Sequence, residues 1–266
     1  PDPGNPFTPL EAIRISYGPD TLQFGDLRIP EGEGPFPVIM IVHGGCWLSA
    51  YDLTLMDDMS DDLAERGYAT WNIEYRRTGD PGGGWPGTFT DVAEALRHLV
   101  PLKEDYPLNL DALLVTGHSA GGHLALMLGA QDQLGASALR VDGLPAIAGI
   151  VSLAGITDLS TYYDVLGCGS NTDELVGGTP DELPDRYAQG SPITHLPLGV
   201  PQILVNGESD NIVTLDDITP YFERAQQRGE EIELVTVPNA GHFEVITPGS
   251  IAWPAVVDAF STLLEE

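Results

Sequence analysis

The 266-residue chain carries 40 acidic against 11 basic residues, a formal charge of −29, and 42% of it is hydrophobic. That size and apolar content suffice for a large core in one domain spanning residues 1–266. No run approaches the ~18 apolar residues of a membrane span, and so acidic a surface disfavours nucleic acid, whose phosphates need basic contacts.

The acidity has two readings: adaptation to high salt, or a plain solvated surface in a chain whose one lysine is Lys103. The chain starts Pro1-Asp2-Pro3-Gly4 without Met. The expectation is that a signal peptide, leader or expression sequence was removed, compatible with either a cytoplasmic or a secreted protein.

In chain order, the proline-rich first ten residues read as an irregular arm. Glu11 to Tyr17 and Thr21 to Arg28 alternate like a hairpin around Gly18-Pro19-Asp20. Short β-branched or aromatic runs predict strands at Pro37 to Val42, Tyr68 to Tyr75, Ala112 to Thr116, Ile147 to Leu153, Gln202 to Asn206 and Glu231 to Val237. Between them, helical spacing marks Leu55 to Arg66, Phe89 to Val100, Ala120 to Ala130, Leu215 to Arg228 and Pro254 to Leu264. This alternation predicts an α/β fold: a mostly parallel central sheet, an antiparallel N-terminal hairpin and helices on both faces. Residues 155–196 interrupt the rhythm with Gly, Pro, Asp and Ser, and read as an excursion of short helices and turns over the sheet edge. It either shapes a pocket or simply connects.

Three motifs carry chemistry. Leu113 to Thr116 is a buried strand running into Gly117-His118-Ser119-Ala120-Gly121, then a helix, which is the setting of a nucleophile elbow. A serine on such a turn projects its hydroxyl above the sheet, and a Cβ at either glycine would strike neighbouring backbone. The competing role for Ser119 is a helix N-cap.

The strand Val38 to Val42 ends in His43-Gly44-Gly45-Cys46-Trp47. Its exposed amides suit an oxyanion, with Gly45 or Cys46 and Ala120 as donors; the alternative is a chain-reversing Gly-Gly turn. His43, with Gly44, is expected to position this loop rather than act as base, and Trp47 either lines the pocket or anchors the loop. Cys46 reads as a small packed thiol rather than a nucleophile. Cys46 and Cys168 are too few for a disulfide framework, but form one bridge if the fold brings them together.

Gln202 to Asn206 leads through Gly207 to Asp210, just past a strand's carboxyl end, which makes it the expected acid. Glu208 is its main rival, followed by Asp216 and Asp217. The last strand ends in Asn239-Ala240-Gly241-His242-Phe243, making His242 the expected base. Of the other histidines, His118 and His123 flank the elbow facing packing or solvent, His98 lies on a helix and His195 in the excursion. His118, Trp85 and Phe243 remain candidates for positioning or for the pocket wall. The order Ser, Asp, His distinguishes this arrangement from other serine hydrolases.

With these motifs in place, the sequence resembles the α/β-hydrolase superfamily, within it the esterase and kynurenine-formamidase-like group with His-Gly-Gly-x-Trp. Tyr75-Arg76-Arg77, the Gly-rich run ending Trp85-Pro86 and Gly117 to Gly122 are similar too. The third glycine of lipase-like oxyanion loops is replaced by Cys46. The resemblance implies acyl transfer through Ser119, with a small-molecule ester or amide as substrate. Three readings follow: a carboxylic ester hydrolase, an arylformamidase of the N-formylkynurenine type, and a small serine peptidase. A silent binding protein on this scaffold would have lost triad members. No metal-binding, P-loop or dinucleotide signature is present, so no cofactor is expected.

Overall fold

Residues Val38 to Val42 are completely shielded from solvent, as a strand covered on both faces must be. A computed structural model describes residues 11–163, 165, 167–168 and 171–265, so the proline-rich arm lies outside the described residues. Eight strands form one sheet: β1 (Ile13–Ser16), β2 (Phe24–Arg28), β3 (Phe36–Val42), β4 (Ala69–Ile73), β5 (Leu108–His118), β6 (Gly149–Leu153), β7 (Gln202–Gly207) and β8 (Ile232–Val237). Their spatial order is β1-β2-β4-β3-β5-β6-β7-β8. β1 and β2 form the expected antiparallel hairpin, β2 meets β4 antiparallel, and every later pairing is parallel.

The period of two along β3 sends Ile39 and Ile41 to one face and Val38, Met40 and Val42 to the other. On the first face they meet α1 (Asp57–Glu65) and α8 (Trp253–Glu265) through Met59, Leu63, Val256 and Phe260. On the second lie α2 (Gly87–Leu102), α3 (Ala120–Gly129) and α7 (Leu215–Gln227), contributing Leu96, Leu124 and Tyr221. Thr214 and Asp217 start α7 with a capping box, which gives Asp217 a structural task.

One strand is longer than its sequence suggests. β5 extends to both sides of Ala112 to Thr116, and its pairing with β3 jumps from Asn109 opposite Pro37 to Leu113 opposite Val38. The bulge hides the alternation that would have revealed the strand's start. The excursion contains α4 (Leu159–Tyr162), α5 (Thr172–Val176), α6 (Pro184–Gly190) and a 3-10 turn at Pro192–His195. His123 Nε2 lies 2.7 Å from Gly190 O and fastens it to α3.

Candidate active site

β5 ends at His118, and α3 begins at Ala120. Between them Ser119 takes φ 56° and ψ −118°, a conformation that L-residues avoid unless the surroundings impose it. Two glycines permit the turn. A Cβ on Gly117 would lie 2.2 Å from Gly121 O, and one on Gly121 would lie 2.1 Å from Val42 O. The Ser119 side chain makes no N-cap hydrogen bond to α3, contrary to the helix-cap alternative.

The β3 loop folds against this elbow. A Cβ on Gly44 would sit 3.2 Å from Ser119 Cβ and 2.7 Å from His118 O, so Gly44 runs directly beside the serine. Gly45, Cys46 and Trp47 follow with φ of 103°, 54° and 58°. Among the described residues, no carbonyl accepts from the amides of Gly44, Gly45, Cys46 or Ala120. Trp47 is fully buried, edge-on to His123, and its carbonyl accepts from Thr78 N and Thr78 Oγ1, both at 2.8 Å. Of its two expected roles, the structure gives the anchor.

Cys46 meets the conditional expectation of a bridge and not that of a packed thiol. It is no free thiol: it forms a disulfide with Cys168, 122 residues away, across a Cα–Cα distance of 4.9 Å. The sequence offered no local sign of this, because the partner comes from the irregular excursion.

His43 is completely buried under the loop. Its ring nitrogens face Gly44 O at 2.8 Å and Glu74 Oε1 at 3.1 Å, and the ring stacks on Tyr75 at 4.3 Å. Tyr75 OH donates to His43 O at 2.9 Å. Glu74 also accepts from the amides of Tyr75 and Leu53 and pairs with Arg77, which in turn pairs with Asp80. Sequence reading assigned Glu74 no role. Its position, a carboxylate directly after a wholly buried strand, was the available signal.

Across the site, His242 Nδ1 and Asp210 Oδ2 are 2.7 Å apart, and both side chains are almost wholly buried. Asp210 Oδ1 accepts from Ile212 N at 2.8 Å and Val213 N at 3.0 Å, which fixes the carboxylate plane. The rivals do not reach the ring: Glu208 and Asp216 are exposed, and Asp217 caps α7.

His118, next to the serine in the chain, packs against this pair. Its Nε2–H donates to His242 O at 2.9 Å, and its ring lies 4.5 Å from the His242 ring and 5.5 Å from Phe243. Burial, reinforced by the neighbouring His242, lowers its pKa to about 3, so it stays neutral and locked in one tautomer. Burial likewise lowers His123 to about 4. His195 Nε2 lies 2.8 Å from Gln189 O within the excursion, and His98 sits on α2. Trp85 packs edge-on to Phe89, with Arg186 above its ring at 5.5 Å, and belongs to the excursion side. Phe243 is half exposed beside His242, while Tyr51 covers Gly45 and is also exposed. No cluster of His, Cys, Asp and Glu fit to hold a metal ion occurs among the described residues.

Residues 26–220 match the family described as BD-FAE. Esterase LipC of Mycobacterium tuberculosis is 26% identical over 238 residues, 86% of this chain but 59% of LipC, so the chain spans little more than half of that relative. Kynurenine formamidase of Salmo salar is 24% identical over 252 residues, 88% of this chain and 75% of that protein. A solved truncated carbohydrate esterase from gut microbiota aligns with a TM-score of 0.81 at 20% identity, over 98% of this chain and 99% of that one, a likeness of fold.

Proposed function

Since the chain belongs to the BD-FAE family of α/β-hydrolase esterases, we propose that it is a carboxylic ester hydrolase with Ser119 as nucleophile, His242 as base and Asp210 as acid. The observation that carries this reading is the short contact between His242 Nδ1 and Asp210 Oδ2, in a loop hydrogen-bonded to the elbow residue His118. A carboxylate there accepts the Nδ1 proton, which leaves the Nε2 lone pair as the base.

Ser119 Oγ then attacks the ester carbonyl while His242 takes its proton. Negative charge on the tetrahedral oxygen is met by amides of the Gly44 to Cys46 stretch together with Ala120, at the amino end of α3. His242 returns the proton to the leaving alcohol. Water, deprotonated by the same imidazole, releases the acid from Ser119. In this reading the chain is a single catalytic unit, the described part of the excursion walls the pocket, and exposed Phe243 and Tyr51 border its entrance.

Kynurenine formamidase among the relatives favours one second reading, hydrolysis of an aryl formamide by the same groups. Labelling with a fluorophosphonate, parent against Ser119→Ala, tests the nucleophile: labelling is expected in the parent alone, and its persistence in the variant refutes the assignment. Comparing kcat/KM on nitrophenyl acetate and N-formylkynurenine ranks the two substrates.

A further inference from the structure

Three consecutive residues of the oxyanion loop, Gly45, Cys46 and Trp47, hold positive φ, and two of them carry side chains. Such a segment relaxes unless contacts on both sides hold it. On the sheet side the restraint is visible: Trp47 O is fixed by Thr78, and Leu48 N donates to Gly45 O at 2.9 Å. On the opposite side stands the Cys46–Cys168 bridge.

Cys168 is itself well placed to act as an anchor. It is 1% exposed, and its backbone faces the Tyr162 hydroxyl, which donates to Ile212 O at 2.8 Å. Ile212 is the residue whose amide grips Asp210. Gly167 lies against Ile212 as well, since a Cβ on it would stand 3.2 Å from that side chain. The bridge therefore closes a circuit from the Asp210 loop, through Tyr162 and Cys168, to the strained loop beside Ser119.

We propose that Cys168 is a positioning residue for the oxyanion loop: through its disulfide to Cys46 it holds the loop's amides toward Ser119, and opening the bridge lowers turnover without weakening substrate binding. The proposal rests on the reading of these amides as oxyanion donors. Opening the bridge is a balanced exchange: a dithiol reductant supplies two electrons and two protons, leaves as a cyclic disulfide, and Cys46 and Cys168 become thiols.

The sheet-side restraints survive reduction, so the loop loosens rather than unfolds. Deleting one oxyanion donor costs on the order of 100- to 1000-fold in kcat. A loosened donor should cost less, roughly 10- to 100-fold, with KM within about threefold.

The experiment compares kcat and KM on nitrophenyl acetate for the parent, the parent in dithiothreitol, Cys168→Ala and Ser119→Ala. Assays run far below each melting temperature, with circular dichroism checking the fold and alkylation counting open thiols. Reduced parent and Cys168→Ala should share the lowered kcat. Reoxidation should restore the parent alone, and an aryl boronic acid, which mimics the tetrahedral adduct, should lose affinity in step with kcat. An unchanged kcat with two alkylated thiols would overturn the proposal and leave the bridge a purely stabilising link. Loss of fold in both bridge-free forms would overturn it too, since the link would then hold the whole chain rather than one loop. Parent-like activity in Ser119→Ala would instead strike down the nucleophile reading, a separate failure.

Discussion

Replacing Asp210 by Asn tests the proposed division of labour most sharply, because the surroundings dictate how the new amide must sit. Asp210 Oδ1 accepts from Ile212 N and Val213 N at 2.8 and 3.0 Å, so the Asn carbonyl oxygen has to face those two donors. Its NH₂ group is thereby turned toward His242 Nδ1, 2.7 Å from Asp210 Oδ2 in the parent. A donor there makes Nδ1 an acceptor and moves the imidazole proton to Nε2, the nitrogen that must take the serine proton. Flipping the amide would instead point NH₂ at two N–H groups. The wrong tautomer costs about 10⁴-fold in kcat in a comparable triad, equivalent to about 5 kcal/mol of transition-state stabilisation. The carboxylate of exposed Glu208, by contrast, faces the Thr236 hydroxyl at 3.5 Å, so Glu208→Gln should stay within about twofold of the parent. Steady-state hydrolysis of nitrophenyl acetate, with Ser119→Ala as the floor, measures both. A loss below tenfold in Asp210→Asn, or a larger loss in Glu208→Gln, refutes the assignment of the acid.

Other consequences follow from the same geometry. Gly121→Ala sets a methyl 2.1 Å from Val42 O and 2.5 Å from His43 O, both backbone atoms that cannot swing aside; about 3 kcal/mol or more of stability should be lost in urea melts, and a parent-like midpoint would contradict the packing. Glu74→Gln replaces the carboxylate that Arg77 and His43 share, so kcat should fall about tenfold with little change in KM and a lower melting temperature, whereas a lower melting temperature alone would make Glu74 merely structural. His123 has a folded pKa of about 4, below the unfolded value of 6.5, so the unfolded chain binds the extra proton and stability falls as pH drops through that window. Relative to His123→Gln, which keeps a donor for Gly190 O but does not titrate, the parent should lose about 2 kcal/mol between pH 7 and pH 4.5. Parallel pH curves for the two proteins would refute the buried neutral ring.

What could be read from the sequence was whatever local pattern encodes. Alternation and buried runs located the strands, because side-chain period and sheet face are the same fact. The elbow and the Gly44-Gly45 loop stood out through glycines at fixed offsets from a strand end, and the His242 turn through a histidine just past the last strand. The choice of Asp210 over Glu208 rested on distance past β7, which is again local. With two cysteines the sequence named the possible pair but not whether Cys46 and Cys168 meet, and nothing announced Glu74 as the carboxylate beneath His43, since both depend on long-range packing of irregular or distant segments. The start of β5 was hidden by a bulge for a related reason: register is a property of two strands, not one.

The backbone shows where that long-range packing is spent. Among the described residues, positive φ outside glycine occurs at Cys46, Trp47, Ser119, Ala154 and Asn239. They follow β3, β5, β6 and β8, all at the carboxyl edge of the parallel sheet, the edge that also carries Asp210 and His242. At roughly 1–3 kcal/mol apiece, such conformations together rival the net stability of an ordinary domain, and they persist only where neighbours over-determine them. Each of the first four has its clamp: the disulfide and Thr78 for the first two, Leu153 O accepting from Ser119 N at 2.8 Å, and Val205 O accepting from Ala154 N at 2.9 Å. Asn239, exposed and of a type that tolerates this region, needs the least. Strain gathered on one edge and braced by the strands beneath it is what a preorganised site requires, since amides already aimed at a developing charge need not reorganise when it forms.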